Sequence, residues 1–324
     1  MHRLLKQIAN GIEITTSPIA YGGRGLIARR PIARGELLFI EQPFLSAIRR
    51  TSEPAERICH DCWGNTANSC VCPGSGSSTV TTSPLPKELF WWNKLAAQSR
   101  ARLTVLPAFV RLRESQLLRL QSVGADSTAN PATIGKEGAF TIMATDLLGL
   151  SLMDLVSSGS LSSSTALANN LITGKQMPLV GTPQAWIDQY NEIKDVLLLD
   201  KGLVDLFSLN WYTSQMMRLN LNTFQTSFLP INSKEPVIGS CLYLYASMFN
   251  HSCQPNVTVD WVGNNNINAY AHTDIKNGDE LFISYIGHID ENENDETILA
   301  NRREYFRFNY GFICTCSVCK MQTS

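Results

Sequence analysis

The sequence predicts an α+β protein: a β-rich body interrupted by helical insertions and closed by a cysteine-rich tail. Three observations carry that expectation. Short strand-like runs punctuated by glycine and proline occupy both ends of the chain, over residues 11–48 and 237–286. Helical spacing of apolar residues prevails between them. Seven of the nine cysteines fall into two tight groups, Cys59, Cys62, Cys70 and Cys72 near one end and Cys314, Cys316 and Cys319 near the other.

Bulk properties narrow the class. With 324 residues, 44% of them hydrophobic, the chain can bury a sizeable core, which excludes global disorder. A net charge of -1 offers no broad basic field for a phosphate backbone, so no direct nucleic-acid contact is expected. Met1 to Asn10 contains basic residues but no apolar stretch of signal-peptide length. The longest apolar run, Phe140 to Val156, is interrupted by Asp146 and Asp154 and is too short and too charged to span a bilayer. The expectation is a soluble intracellular protein of the nucleus or cytoplasm, monomeric and with no membrane partner. Those compartments keep thiols reduced, so clustered cysteines there indicate metal ligation more than disulfides.

Taken in order, Gly22-Gly23-Arg24-Gly25 breaks the backbone and Leu26-Ile27-Ala28 resumes as a strand. Pro31 and Gly35 mark a second turn before the apolar run Leu37 to Ile40. The first cysteine group follows, and then a Gly/Ser/Thr-rich loop from Pro73 to Ser83. Helical spacing runs from Pro86 to Leu120. The segment from about Gly124 to Thr182 carries no clear period, and Ser157 to Thr165 is so rich in Ser, Thr and Gly that a mobile or surface insertion is expected. Pro183 suits a first helical turn, and a helical block extends from it with breaks to about Phe228. Strand patterning returns at Val237. Val257 to Trp261 and Ile267 to His272 alternate around Gly263-Asn264-Asn265, which predicts a hairpin. Leu281 to Ile286 reads as a further strand, the acidic run Asp290 to Glu296 as a solvated loop, and Thr297 to Arg307 as a last helix. No internal repeat is present.

Chemistry concentrates at the C-terminal end. Cys314-Thr315-Cys316-Ser317-Val318-Cys319 places three thiols within six residues. Zinc takes four ligands at tetrahedral corners, so a local trio needs one more from elsewhere. Three ordinary buried thiols are the plainer alternative, but so dense a group has little packing rationale. The segment Asn250-His251-Ser252-Cys253-Gln254-Pro255-Asn256 is the other concentration of reactive residues. It reads either as a polar turn before a strand or as a Cys/His pair for thiol hydrolysis. Neighbours in sequence rarely adopt nucleophile–base geometry, and no oxyanion motif accompanies the pair.

Four pieces in fixed order resolve that ambiguity. They are Gly23-Arg24-Gly25; Asn250-His251-Ser252-Cys253-x-Pro255-Asn256; Gly278-Asp279-Glu280-Leu281-x-Ile283-x-Tyr285; and Tyr310-Gly311-Phe312-x-Cys314-x-Cys316-x-x-Cys319. The series resembles the SET-domain protein-lysine methyltransferases, closest to the SET-and-MYND branch. The resemblance spans about residues 11–50 and 205–320.

It implies a pseudoknotted β-rich SET domain that transfers a methyl group from S-adenosyl-L-methionine to a lysine of a histone tail or another protein. It also implies that Tyr285 and Tyr310 are catalytic. Gly23, Arg24, Gly25, Asn250 and His251 would bind the cofactor, with Asn222 as a further cofactor asparagine and Phe312 as the aromatic near the adenine. The knot would bring Cys253 to Cys314, Cys316 and Cys319 around Zn2+ in a post-SET tail. No strand–GxGxxG–helix unit competes as a cofactor site.

Cys59-x-x-Cys62 matches the opening of a MYND finger, but only Cys59, Cys62, Cys70 and Cys72 remain of its ligands, with His60 alongside. A shrunken second zinc site and a metal-free loop both stay open there. The implied organisation is a SET N-terminal part at 11–50, a degenerate MYND-like group and linker at 51–85, and a helical and low-complexity insert at 86–204. SET insert helices and the SET C-terminal part would occupy 205–288, and the zinc tail 289–324. A catalytically inactive SET-like interaction module is the alternative, although it has no chemical need to retain the cofactor and tyrosine positions.

Overall fold

The computed structural model describes residues 11–17, 23–50, 131–158, 160–171, 182–197, 208–228, 237–262, 265–286 and 296–321. The Cys59, Cys62, Cys70 and Cys72 group, the loop at 73–83, the helix expected over 86–120 and most of the acidic run at 290–296 lie outside these residues.

The strands are β1 (Ile12–Thr16), β2 (Arg24–Ala28), β3 (Leu37–Glu41), β4 (Leu45–Arg50), β5 (Thr223–Phe228), β6 (Val237–Leu242), β7 (Asn250–His251), β8 (Val257–Val262), β9 (Asn266–Ala271) and β10 (Glu280–Ile283). Among the described residues they form three sheets, ordered β1-β2-β10-β7, β3-β9-β8 and β4-β6-β5. β9 shows the physics of a half-buried strand: Ile267, Ala269 and Ala271 face the core while Asn266, Asn268 and Tyr270 are partly exposed. It pairs antiparallel with β8, as the hairpin pattern predicts. Asn265, at the end of the connecting loop, takes φ 61°, a left-handed conformation that asparagine tolerates.

The helices are α1 (Pro131–Ser158), α2 (Ser163–Asn169), α3 (Gln184–Leu197), α4 (Leu209–Asn222), α5 (Glu296–Tyr310) and α6 (Ser317–Met321). α1 occupies the segment whose sequence carries no clear period. Ala139, Phe140, Ile142, Met143, Ala144, Leu147 and Leu148 are all buried, so nearly every side of its middle turns faces protein and no single apolar stripe exists. Its buried hydroxyls are satisfied within the helix: Thr145 donates to the Thr141 carbonyl at 2.8 Å and Ser151 to that of Leu147 at 2.7 Å. No described helix is long and apolar enough to cross a membrane. The Ser/Thr-rich stretch that follows lies at the surface, yet part of it is ordered as a helix start. Ser162 caps α2, accepting from the Thr165 N–H, while its own N–H donates to Asp154 at 2.8 Å.

Three expectations need correction. The helical block does not reach Phe228: α4 stops at Asn222 and β5 begins at Thr223 with no intervening loop. Thr223 is β-branched, Phe224, Thr226 and Phe228 are aromatic or β-branched at alternating positions, and pairing with β6 decides in favour of strand. The strand expected over Leu281 to Ile286 ends at Ile283, because the Tyr285 N–H is drawn away from the ladder to the imidazole of His251. The last helix is longer than expected, Glu296–Tyr310.

One apolar core joins the sheets to α1, α3 and α4. A second, smaller core contains Cys253, Phe306, Cys314 and Cys319, and Tyr285 packs against both.

Candidate functional site

The site is built where two loop-strand segments lie side by side. β7 pairs parallel with β10, Asn250 opposite Phe282 and His251 opposite Ile283. Asn256 binds the two segments together with both ends of its amide. It donates to the Glu280 carbonyl at 2.8 Å and accepts the Phe282 N–H at 2.7 Å. The Ser252 N–H donates to the Ile283 carbonyl at 3.1 Å. Residues about thirty apart in sequence are thereby fixed in one register.

This crossing delivers Cys253 to the tail. The sulfurs of Cys253, Cys314, Cys316 and Cys319 all lie within 4.8 Å of one another, with Cys253 3.9 Å from Cys314 and 3.6 Å from Cys319. Four sulfurs at tetrahedral corners about 2.3 Å from a metal sit roughly 3.8 Å apart, so the set fits Zn2+. None is in a disulfide. Their mutual hydrogen bonds split the thiols: contact with Cys314 pushes Cys253 up, and the same contact with Cys253 pulls Cys314 down. A cation would relieve that competition for protons by taking all four as thiolates. The tail is positioned by the end of α5, where Gly311, at φ 73°, donates to the Arg307 carbonyl at 3.2 Å and reverses the chain. Arg303 then donates to the Cys319 carbonyl at 3.1 Å, and Ser317 to Gln254 Oε1 at 3.1 Å.

His251 and Cys253 do meet, contrary to the sequence argument against such a pair. Nε2 lies 3.4 Å from the sulfur. The backbone turns between them, placing both side chains toward α5. With three other sulfurs close by, however, the pair belongs to the four-thiol cluster and does not stand alone as a nucleophile and base.

Around this cluster the aromatic residues form a continuous wall. The Tyr285 and Tyr310 rings are 4.9 Å apart, His251 packs on Phe306 at 4.2 Å, and Phe306 stacks on Phe312 at 5.2 Å. Phe306 is fully buried and had no sequence signal beyond its place one helical turn before Tyr310. The Tyr285 hydroxyl donates to the Phe249 carbonyl at 2.7 Å. Burial, with the neighbouring Tyr310 and Glu280, raises Tyr285 well above the usual tyrosine range. Burial and the nearby Tyr305 push Tyr310 up to about 12. Both phenols are therefore neutral at physiological pH.

At the other end of β10, the Asn250 amide donates to Glu280 Oε1 at 2.7 Å and to the Arg24 carbonyl at 3.0 Å. Glu280 is buried and also accepts from Ser17 at 2.8 Å. A side chain on Gly25 would collide with Glu280 Oε1 and come within 3.0 Å of Asn250 Nδ2, so this glycine is required by close approach. Ser17 and Glu280 were not singled out from sequence, although Glu280 sits within the quoted motif; a carboxylate buried in a strand is visible only once the strand is placed.

The other expected cofactor residues make further contacts of their own. Gly23 lends its carbonyl to the Ser17 N–H at 2.9 Å. The Arg24 guanidinium reaches the Asn170 carbonyl at 2.7 Å, so its side chain ties β2 to the end of α2. Asn222 donates to the Arg218 carbonyl at 2.7 Å, and its own carbonyl receives Ser247, two residues before Phe249.

A β fold whose C-terminal segments run as a parallel pair, with a four-thiol cluster beside two neutral tyrosines, defines a narrow class of protein. A family model described as "SET domain" matches residues 23–286, and the chain belongs to the SET-domain family. Its similarity to a histone-lysine N-methyltransferase SET5 from Yarrowia lipolytica is 44% identity over 107 residues, covering 31% of this chain and 22% of that protein. A SET and MYND domain-containing protein of Dictyostelium discoideum is 30% identical over 144 residues, covering 42% of this chain and 40% of the relative. The histone-lysine N-methyltransferase ATXR4 of Arabidopsis thaliana is 27% identical over 123 residues, covering 34% and 36%. The matched stretch thus spans less than half the length of each relative.

Proposed function

We propose that this chain is an S-adenosyl-L-methionine-dependent protein-lysine N-methyltransferase with a structural Zn2+ at Cys253, Cys314, Cys316 and Cys319. One observation carries the reading: the segment that supplies the fourth thiol also supplies, through Asn250 and Phe249, the partners of Gly25, Glu280 and Tyr285. Metal site, cofactor groups and catalytic hydroxyl are then all tied to one short piece of chain, 249–253. The names of the relatives support histone or other protein lysines as the substrate class, and an intracellular setting.

When bound, S-adenosyl-L-methionine supplies an electrophilic methyl carbon on a sulfonium sulfur, which leaves as a thioether when the lysine nitrogen bonds to that carbon. The chain's part is to hold a neutral amine in line. A free lysine has a pKa of about 10.4, so the amine must lose a proton before it can attack. The aromatic wall of Tyr285, Tyr310, Phe306 and Phe312 desolvates the amine and lowers that pKa, and the proton leaves to solvent. Tyr285 gives its own proton to the Phe249 carbonyl, so its oxygen faces the amine as an acceptor and orients it. Neither tyrosine needs to act as a base. Asn250, with Gly25 behind it, receives the aminoacyl end of the donor, and Phe312 lies on the side proposed for the adenine. Cys253, Cys314, Cys316 and Cys319 would hold a Zn2+ there, and the bound ion would fix the tail that carries Phe312.

Labelled methyl transfer onto histones and onto whole lysate tests this, with zinc-replete wild type beside Tyr285→Phe and His251→Ala. Transfer by wild type and sharply reduced transfer by both variants is the expected result. Absence of transfer together with absence of S-adenosylmethionine binding points instead to a silent interaction module.

A further inference from the structure

We propose that Glu280 is a positioning residue for the methyl donor. It fixes the Asn250 amide so that Oδ1 is the acceptor offered to the donor's ammonium group. The inference rests on the S-adenosylmethionine reading above and gives Glu280 a role that reading leaves open.

Glu280 is 6% exposed, on the strand between β2 and β7. Both carboxylate oxygens are occupied: Oε2 accepts from Ser17 at 2.8 Å and Oε1 from Asn250 Nδ2 at 2.7 Å. The same Nδ2 donates its second proton to the Arg24 carbonyl at 3.0 Å. A carboxylate and a backbone carbonyl only accept, so the nitrogen of the amide must face them and the flipped orientation is excluded. With both protons of Asn250 committed, Oδ1 is the only polar atom of that side chain left for a ligand, and it is an acceptor. An ammonium is the donor-rich cation such an oxygen suits, and the aminoacyl end of S-adenosylmethionine carries one.

Gly25 completes the device. A methyl group at that position would collide with Glu280 Oε1, so the carboxylate can stand against the amide only because position 25 has no side chain. Ser17 holds the carboxylate from the other side, and its N–H is bonded to Gly23. The Gly23-Arg24-Gly25 turn and the Asn250 motif are thus joined through one buried acid. Removing Glu280 would free the amide to rotate and present N–H groups to a cation.

Titration calorimetry on the zinc-replete chain tests this with two ligands, S-adenosylhomocysteine and 5′-methylthioadenosine, the second lacking the aminoacyl end. Glu280→Ala is expected to weaken S-adenosylhomocysteine by roughly tenfold or more, the loss of one charge-assisted contact, and to leave methylthioadenosine unchanged. Glu280→Gln should restore binding to within roughly threefold, because its amide oxygen can still take the Asn250 proton while its NH2 meets the Ser17 hydroxyl. In an Asn250→Ala background, Glu280→Ala should cause no additional loss. Should Glu280→Ala fail to fold, Gly25→Ala displaces the same carboxylate and is expected to show the same ligand-selective loss.

Equal weakening of both ligands, or an undiminished effect of Glu280 without Asn250, overturns the proposal. So does unchanged S-adenosylhomocysteine binding by Glu280→Ala. Wild type that binds neither ligand overturns the functional reading itself, and this inference with it.

Discussion

The imidazole Nε2 of His251 lies 3.4 Å from the sulfur of Cys253. On its far side, Nδ1 receives the backbone N–H of Tyr285 at 3.1 Å. That N–H can only donate, so Nδ1 holds a lone pair and the N–H of the neutral ring falls on Nε2, directed at the Cys253 sulfur. One ring therefore links the four-thiol cluster to the backbone of Tyr285, the tyrosine proposed as catalytic. His251→Ala should lower zinc affinity by about 10- to 100-fold, the usual effect of losing a partner of a metal ligand. It should also speed hydrogen exchange at the Tyr285 amide. Chelator competition and exchange mass spectrometry read the two effects, and a change in one without the other would separate the sites.

Cys253 supplies the fourth corner of the cluster from about sixty residues away. Cys253→Ser should therefore reduce bound zinc by about one ion per chain. The tail from Phe312 onward should become sensitive to protease, because three local thiols no longer hold it to β7. Metal analysis and limited proteolysis check this; full zinc occupancy in the variant would show that the tail trio finds another ligand.

Tyr285→Phe leaves the Phe249 carbonyl without its 2.7 Å donor. The stability cost should be about 1–3 kcal/mol, the range for an unsatisfied buried acceptor. Methyl transfer should fall by roughly 100-fold or more while S-adenosylhomocysteine binding holds, because in the proposed mechanism that oxygen orients the amine and has no part in holding the cofactor. Denaturant melts, calorimetry and initial rates measure the three quantities.

Glu41 gives a pH prediction. It is buried and accepts backbone N–H groups from Tyr245 and Ala246, each at 2.9 Å, at the turn leading into Phe249 and Asn250. Burial outweighs those bonds and pushes its pKa from 4.5 up to about 7. The folded state thus binds the proton more tightly than the unfolded chain. The resulting stability is fully present below about pH 4.5 and is lost as pH rises through about 7. Burial above all, with the Glu41 charge adding to it, raises both Tyr243 and Tyr245 in turn, so both phenols stay neutral across this window. Relative to Glu41→Gln, wild type should lose on the order of 3 kcal/mol between about pH 4.5 and pH 8. A parallel pH dependence of the two proteins in urea melts would contradict this.

The fold class was legible in the sequence, and the motif residues that meet in the structure were easier to group than the elements around them, for a physical reason. Asn256 and the strand Glu280–Ile283 bond to each other, so motif residues define their own contacts and reappear together. The cysteines are similar: sulfur spacing in the tail already demands a fourth ligand. α1 was opaque because it is buried on almost every side, which removes the periodicity that marks an amphipathic helix. The change from α4 to β5 was missed because no glycine or proline separates Asn222 from Thr223. Phe306 and Glu280 owe their importance to neighbours that only folding supplies.

α1 packs against β4 and α4, and its side chains share the core that closes over β2 and β10. Shortening this protein by excising the middle of the chain would therefore open a hole beneath the very strands that align the tyrosine and the asparagine. Any fragment meant to keep this fold has to retain 131–158 even though that stretch carries no motif.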